Sequence, residues 1–292
     1  MISIEDRYIV VGKQRLHVHI GGVAGTLPPV VLESGGGSLI RTWSGFEQAL
    51  TPHTQVLSYE RAGIGDSSGP AKDVSAAAVT QRLEALIKAA GIRTPVILAG
   101  HSLGGLYMRY FAATRPDLVA GLVLLDATPE DLPFRRIVVL RTKAAIWLLH
   151  GLARIGLMQQ LAKRLKPGGK PIELTPDQAA AYGRFRHMKT LTVEIANLSN
   201  IQAEVAALPA TSPIPTLALS AGEHPPQVTP DQVAAFRISH DQLAARGATP
   251  HSRHHRMEGA SHMSLLTDPA QAAAAGALIL EFARQITPSS KA

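Results

Sequence analysis

The chain has 292 residues, 46% of them hydrophobic and 4% aromatic, with a formal net charge of +7. That length carries one large α/β domain or two small ones, and the apolar share is enough to fill a core. There is no cysteine, so disulfides, thiolate catalysis and cysteine-ligated zinc are excluded.

Residues 1–7 carry acids where a secretory n-region is basic, and no apolar h-region follows. No run is long enough to span a bilayer. A cytoplasmic protein is the expectation. No nucleic-acid module is visible, and few aromatics are present to stack bases, so nucleic acid is not an expected partner.

Residues 7–11 and 15–20 alternate as strands joined at Gly12-Lys13, which predicts an N-terminal edge hairpin. Residues 29–33 form the next buried strand and run into Ser34-Gly35-Gly36-Gly37-Ser38. Glycines there leave backbone N–H groups uncovered, as an oxyanion loop needs. A plain flexible turn is the bland alternative. A phosphate cradle is disfavoured because the lysine of a P-loop is absent. A short helix over 43–50 and a strand over 55–59 follow. A polar turn comes next, Glu60-Arg61-Ala62-Gly63-Ile64-Gly65. Val79, Leu83, Leu86, Ile87 and Ala90 recur at helical spacing.

Residues 96–105 read Val-Ile-Leu-Ala-Gly-His-Ser-Leu-Gly-Gly. A buried strand enters a sharp turn and a helix leaves it. Gly100-His101-Ser102-Leu103-Gly104 therefore matches G-x-S-x-G in the context that motif requires. A serine in such a turn projects its hydroxyl above the sheet edge. The helix start behind it offers free N–H groups to a developing oxyanion, with Gly36 and Leu103 as the candidate donors. A buried strand over 120–126 then ends on Asp126.

The strand–helix rhythm stops at Asp126 and resumes at the buried strand 215–221. Between them the chain reads as helical, with Pro167-Gly168-Gly169 as a break and Thr175-Pro176-Asp177-Gln178 as a new helix start. Residues 132–172 contain no acid but carry Arg135, Arg136, Arg141, Lys143, Arg154, Lys163, Arg164, Lys166 and Lys170. This basic, apolar segment suits peripheral contact with an anionic membrane surface. The bland alternative is cationic stems covering apolar surface with their heads in water. A helix over 229–245, a polar edge strand over 254–258, the loop Gly259-Ala260-Ser261-His262 and a final helix opened by Asp268-Pro269 complete the chain.

With the elbow, the glycine loop, the Arg-Ala-Gly-Ile-Gly turn and the Gly-Ala-Ser-His loop in place, residues 7–286 resemble the α/β-hydrolase superfamily, closest to lidded serine esterases. The resemblance implies an α/β fold: a mostly parallel eight-stranded sheet flanked by helices, with a helical lid after strand six. Residues 1–131 and 209–292 would form the core and 132–208 the lid. It also implies the chain order nucleophile, acid, histidine, which Ser102, Asp126 and His262 follow. The glycine loop begins Ser-Gly rather than His-Gly, and the turn begins Glu-Arg rather than Asp-Arg. The usual acid position after the penultimate strand holds proline in Gly222-Glu223-His224-Pro225. Asp126 and Glu223 therefore both stand as candidate acids. Asp126 alternatively caps its own turn through Thr128 or Asp131.

The chain has 12 histidines. His101 lies inside the elbow. His254 and His255 point to opposite faces of a strand, and the rest read as scattered surface residues, so no metal is expected. The activity implied is hydrolysis of a small, largely apolar ester through an acyl-enzyme, without cofactor. Amide, lactone, thioester or carbon–carbon cleavage could use the same parts. A non-hydrolytic small-molecule-binding member and an acyl transferase are the alternatives. Oligomeric state is not read from the sequence.

Overall fold

The structure is a computed structural model that describes residues 3–69, 73–92, 95–131, 136–157, 176–224 and 228–287. Its strands are β1 Ile4–Val11, β2 Gln14–Gly22, β3 Val30–Glu33, β4 Gln55–Tyr59, β5 Val96–His101, β6 Val119–Leu125, β7 Thr216–Ala221 and β8 Arg253–Met257. They form one eight-stranded sheet in the order β1-β2-β4-β3-β5-β6-β7-β8. Only the β1–β2 and β2–β4 pairings are antiparallel; β4 through β8 run parallel.

The period-2 alternation of the strands divides the core into two layers. Val31, Leu57, Leu98, Leu122 and Leu124 face one side. They pack under α2 Ala76–Ala89 and α3 Leu103–Thr114. Val30, Leu32, Ile97, Ala99, Val123 and Leu125 face the other. There they meet α1 Ser44–Leu50 and the C-terminal helix Pro269–Ile286. Strands covered on both faces are apolar throughout, and β3, β5 and β7 are buried along their whole length.

Between β6 and β7 the described residues form α4 Arg136–Arg154, α5 Pro176–Gly183 and α6 Phe185–Ala206. The expected break at Pro167-Gly168-Gly169, the helix start at Thr175, and Arg135, Lys163, Arg164, Lys166 and Lys170 lie outside the described residues. Leu198, Ile201 and Val205 of α6 belong to the same buried cluster as Leu83 and Leu106. The helix thus joins the insertion to the core. After β7 come α7 Pro230–Arg246, α8 Ser264–Thr267 and α9 Pro269–Ile286. Thr229 and Gln232 form a capping box on α7, and Asp268 caps α9. The sequence pattern missed α8, which is only four residues long. Among the described residues no helix is long and apolar enough to cross a membrane.

The direction of strand order reverses at β3, between β4 and β5. Loops leaving β3 and β5 diverge there and open a crevice beyond the strand ends. The turn at that crevice is built on close backbone approach. A Cβ on Gly100 would sit 2.6 Å from the Gly104 carbonyl oxygen, and one on Gly104 would overlap the Glu33 carbonyl. Backbone at such contacts has no way to yield. Gly100→Ala is therefore expected to lower stability in urea unfolding by about 2–3 kcal/mol. Gly151→Ala, inside α4 with nothing near its Cβ position, should instead raise it by about 0.5–1 kcal/mol. An unchanged midpoint for Gly100→Ala would contradict this packing.

Candidate active site

Ser102 stands between β5 and α3 with φ 53° and ψ −122°. Among the described residues it and Asp126, at φ 41°, are the only non-glycine positions with positive φ. Each such residue stores on the order of 1–3 kcal/mol of strain and persists only where its surroundings hold it. The elbow backbone is held by its neighbours. Ser102 N donates to Leu125 O at 3.2 Å, and Ser102 O accepts from Gly105 N and Thr128 N, each at 3.0 Å.

Asp126 ends β6, and His262 lies in the loop after β8. His262 Nδ1 donates to Asp126 Oδ2 at 2.6 Å, while Asp126 Oδ1 accepts from Ala221 N at 3.0 Å. Burial pushes the Asp126 carboxyl up, but the hydrogen bond and charge of His262 and the Ala221 amide outweigh it. The group is held well below the usual carboxylate range. His262 keeps 44% of its side chain exposed, so its ring reaches solvent. Glu223 is exposed, and its backbone N donates to Ala260 O at 2.9 Å. Of the two candidate acids, the structure thus brings Asp126 to His262. The Asp126 oxygens do not cap its own turn: Thr128 N goes to Ser102 O, and Asp131 pairs with Ser239.

His101 packs on His262 with ring centroids 4.5 Å apart. Its Nε2 donates to the His262 carbonyl at 2.9 Å, which ties the elbow to the histidine loop. Burial first, then the nearby His262, lowers His101 to about 3. It stays neutral and supports its neighbour.

Gly36 and Leu103 lie side by side: a Cβ on Gly36 would be 3.7 Å from Leu103 Cδ2, and one on Gly35 would be 3.2 Å from Ser102 Cβ. Leu103 opens α3, where the first N–H groups have no intrahelical acceptor. The loop that carries Gly36 is clamped by Arg61. Its NH1 donates to Ser34 O at 2.6 Å and its NH2 to Gly35 O at 2.8 Å. Glu33 and Glu194 flank the same guanidinium, Glu194 Oε1 at 2.8 Å from Nε. Burial works against the Arg61 charge, yet the two carboxylates hold it protonated. Glu194 Oε2 also accepts from Gly37 N at 3.1 Å. One carboxylate of the insertion thus holds both the clamp and the loop.

Sequence reasoning missed Glu194 and the clamp. The signal was present: Glu194 falls on the buried stripe of α6 with Met188, Thr190, Leu198 and Ile201, and a carboxylate on a buried stripe needs a cation. The reading of the remaining histidines as scattered also fails. His17 and His19 share one strand face and converge on Asp6, because residues two apart on a strand point the same way.

A cleft of about 160 Å³ opens beside the glycine loop. Gly36, Leu39 and Met263 line it from the core, and Ala181, Tyr182 and His187 from the insertion. Gly65 N donates to His187 Nδ1 at 3.1 Å. That bond makes His187 an acceptor, and burial lowers it to about 4.

The profile described as "Alpha/beta hydrolase family" matches residues 30–275. The "Putative carbamate hydrolase RutD" of Klebsiella pneumoniae (strain 342) is 31% identical over 202 residues, covering 67% of this chain and 73% of that protein. The chain spans only 18% of another relative, the "Probable transporter efuK" of Hormonema carpetanum, at 32% identity over 42% of this chain. Among solved structures, Cfl2 from Burkholderia cenocepacia superimposes with a TM-score of 0.73 at 21% identity, covering 96% of this chain and 95% of the other. The enol-lactonase from Burkholderia xenovorans LB400 gives 0.62 at 22%, covering 94% and 98%.

Two of the buried histidines, His101 at the elbow and His187 at the cleft, give a pH prediction. Both folded-state values lie below the ordinary 6.5. The unfolded chain therefore takes up protons below about pH 6.5 that the folded chain refuses. Their stabilisation is complete above pH 6.5 and is lost as pH falls toward 4, by at most about 1.4 kcal/mol per pH unit for each group. The thermal midpoint should fall across that window. His187→Asn, which keeps an acceptor for Gly65 N–H, should flatten the slope. An identical slope in the variant would contradict the assignment.

Proposed function

Because the chain belongs to the alpha/beta hydrolase family, we propose that it is a serine hydrolase cleaving a small ester through an acyl-enzyme on Ser102. The observation that carries this reading is the 2.6 Å hydrogen bond from His262 Nδ1 to Asp126 Oδ2. That bond fixes the imidazole tautomer, so Nε2 is the nitrogen left to take a proton. Ser102 Oγ attacks the carbonyl carbon and its proton passes to His262 Nε2. The oxyanion is met by the N–H groups of Gly36 and Leu103 at the helix start. His262 then protonates the leaving alcohol, and water, deprotonated by the same ring, releases the acid and regenerates Ser102. No step needs a cofactor.

Residues 132–208 act as the lid in this reading. Ser38, Thr42, Tyr182 and His187 bring polar atoms to a cleft otherwise walled by Gly36, Gly37, Leu39, Met263 and Ala181. A cleft of about 160 Å³ is small beside the usual roughly 300–1,000 Å³ of ligand pockets, which favours a short acyl group. The name of the carbamate hydrolase relative makes a carbamate the second bond type to try.

Membrane-surface contact also has a specific observation behind it. Leu140, Trp147 and Leu148 are exposed on α4 and lie within about 100° of one another around the helix, at 3.6 residues per turn. Arg141 lies on one side of this stripe and Lys143 and Arg154 on the other. That is the layout of a helix lying on an anionic surface. Phosphatidylglycerol vesicles should co-sediment the protein and phosphatidylcholine vesicles should not. Leu140→Glu with Leu148→Glu should abolish the effect; equal sedimentation of this variant would refute surface docking.

The catalytic reading is tested by fluorophosphonate labelling with mass-spectrometric mapping, alongside a nitrophenyl ester series. One label per chain on Ser102 is expected, with acetate and butyrate turned over faster than laurate. A folded protein that takes no label and cleaves no ester would instead be a ligand-binding member of the family.

A further inference from the structure

A second cluster lies on the N-terminal hairpin, outside the residues assigned to the proposed reaction. The β1–β2 register sets Asp6 opposite His19 and Tyr8 opposite His17. Asp6, His17 and His19 therefore share one face of the ribbon. Each imidazole is oriented from behind by a buried carboxylate: His17 Nδ1 meets Glu60 Oε2 and His19 Nδ1 meets Glu47 Oε1, each at 3.0 Å.

The proton positions follow from those partners. An ionised carboxylate only accepts. Glu60 already accepts from Asp66 N at 2.6 Å and Ile40 N at 3.3 Å, and Glu47 from the Ser58 hydroxyl. Both Nδ1 atoms therefore carry hydrogen. Both Nε2 atoms are turned to the Asp6 carboxylate, His17 at 2.7 Å from Oδ1 and His19 at 3.7 Å from Oδ2. In a neutral ring that nitrogen is a lone pair facing a negative oxygen. A proton, a bridging water or a cation has to stand between them.

A proton bridges His17 to Asp6 at 2.7 Å. It does not serve His19, since 3.7 Å is beyond a hydrogen bond. That separation is close to the roughly 3.3 Å between two ligands of a tetrahedral zinc with bonds of about 2.0–2.1 Å. All three ligand atoms lie within 4.8 Å of one another. Carboxylate behind imidazole is also the outer arrangement that metal-binding histidines use. The two rings are 9% and 14% exposed and Asp6 63%, so an ion has a route in and an open position for water. The overlapping group of His17, Glu60 and Asp66 is a poorer set, because Asp66 pairs with Arg184 and Glu60 is occupied by backbone donors.

We propose that Asp6, His17 and His19 bind one divalent transition-metal ion of the zinc type, with water completing the coordination. The ion would offset two of the three negative charges of Asp6, Glu47 and Glu60. It would also staple the edge strand β1, through β2, to α1 and to the turn after β4. Binding expels the proton shared by His17 and Asp6 to solvent, with no redox change.

The test uses the full chain freed of any histidine tag. Calorimetric titration with Zn²⁺ should show one equivalent bound, and Co²⁺ should give the visible bands of a four-coordinate nitrogen–oxygen site. Zn²⁺ should raise the thermal midpoint and EDTA should reverse the rise. Asp6→Ala, at an exposed position, and His19→Gln should each weaken binding by about 100-fold or more, since even outer residues of metal sites are worth about 10–100-fold. His251→Gln, on an exposed histidine elsewhere, should bind like the parent. Melting in EDTA establishes that each variant is folded. No stoichiometric binding, or binding that survives both Asp6→Ala and His19→Gln, would overturn the proposal. None of these readouts depends on esterase activity, so the two proposals fail separately.

Discussion

One hydrogen bond joins residues 136 positions apart in the chain, His262 Nδ1 to Asp126 Oδ2, and the geometry of the site depends on it. Neither partner is placed by its own segment. Asp126 is carried to the sheet edge by β6 and held there at positive φ, a conformation that an aspartate tolerates better than most side chains. Its second oxygen is fixed by the Ala221 amide at the end of β7. His262 arrives from the loop after β8 and is steadied by the His101 ring of the elbow. Parallel strands in adjacent register bring β5, β6 and β7 to the same edge. The sheet thus does the long-range positioning, and the loops supply the chemistry.

The other half of the site depends on a buried cation. Arg61 has little access to water, so its charge is tolerable only because Glu33 and Glu194 lie against it and two backbone carbonyls absorb further N–H groups. Those carbonyls belong to Ser34 and Gly35, next to the backbone assigned to the oxyanion. Glu194 arrives from the insertion and also bonds Gly37 N. Whatever moves α6 is therefore felt at the glycine loop. Glu194 of the insertion buttresses the glycine loop, and Ala181, Tyr182 and His187 of the same insertion line the cleft beside it.

The elbow and the succession of strands along the chain were legible because glycine spacing, apolar runs and turn residues are local signals. Gly100, Ser102 and Gly104 declare a close turn, and the geometry bears out the reason: a Cβ at either glycine meets backbone. The choice between Asp126 and Glu223 was not legible, since it turns on which side chain a distant loop reaches. Glu194 stayed hidden because its segment was read only as helical, with no buried face assigned to residues 185–206. His17 and His19 were overlooked for a different reason. Their pairing needs the hairpin register that sets Asp6 opposite His19, and alternation alone does not supply a partner strand.

The central claim is that Asp126 orients His262 for a serine nucleophile, and the most direct test is steady-state ester hydrolysis by Asp126→Asn set beside Glu223→Gln. The account predicts that Asp126→Asn lowers kcat by about 10⁴-fold through the wrong imidazole tautomer, with KM little changed, while Glu223→Gln keeps the parental rate. A large loss in Glu223→Gln with near-parental turnover in Asp126→Asn would contradict it.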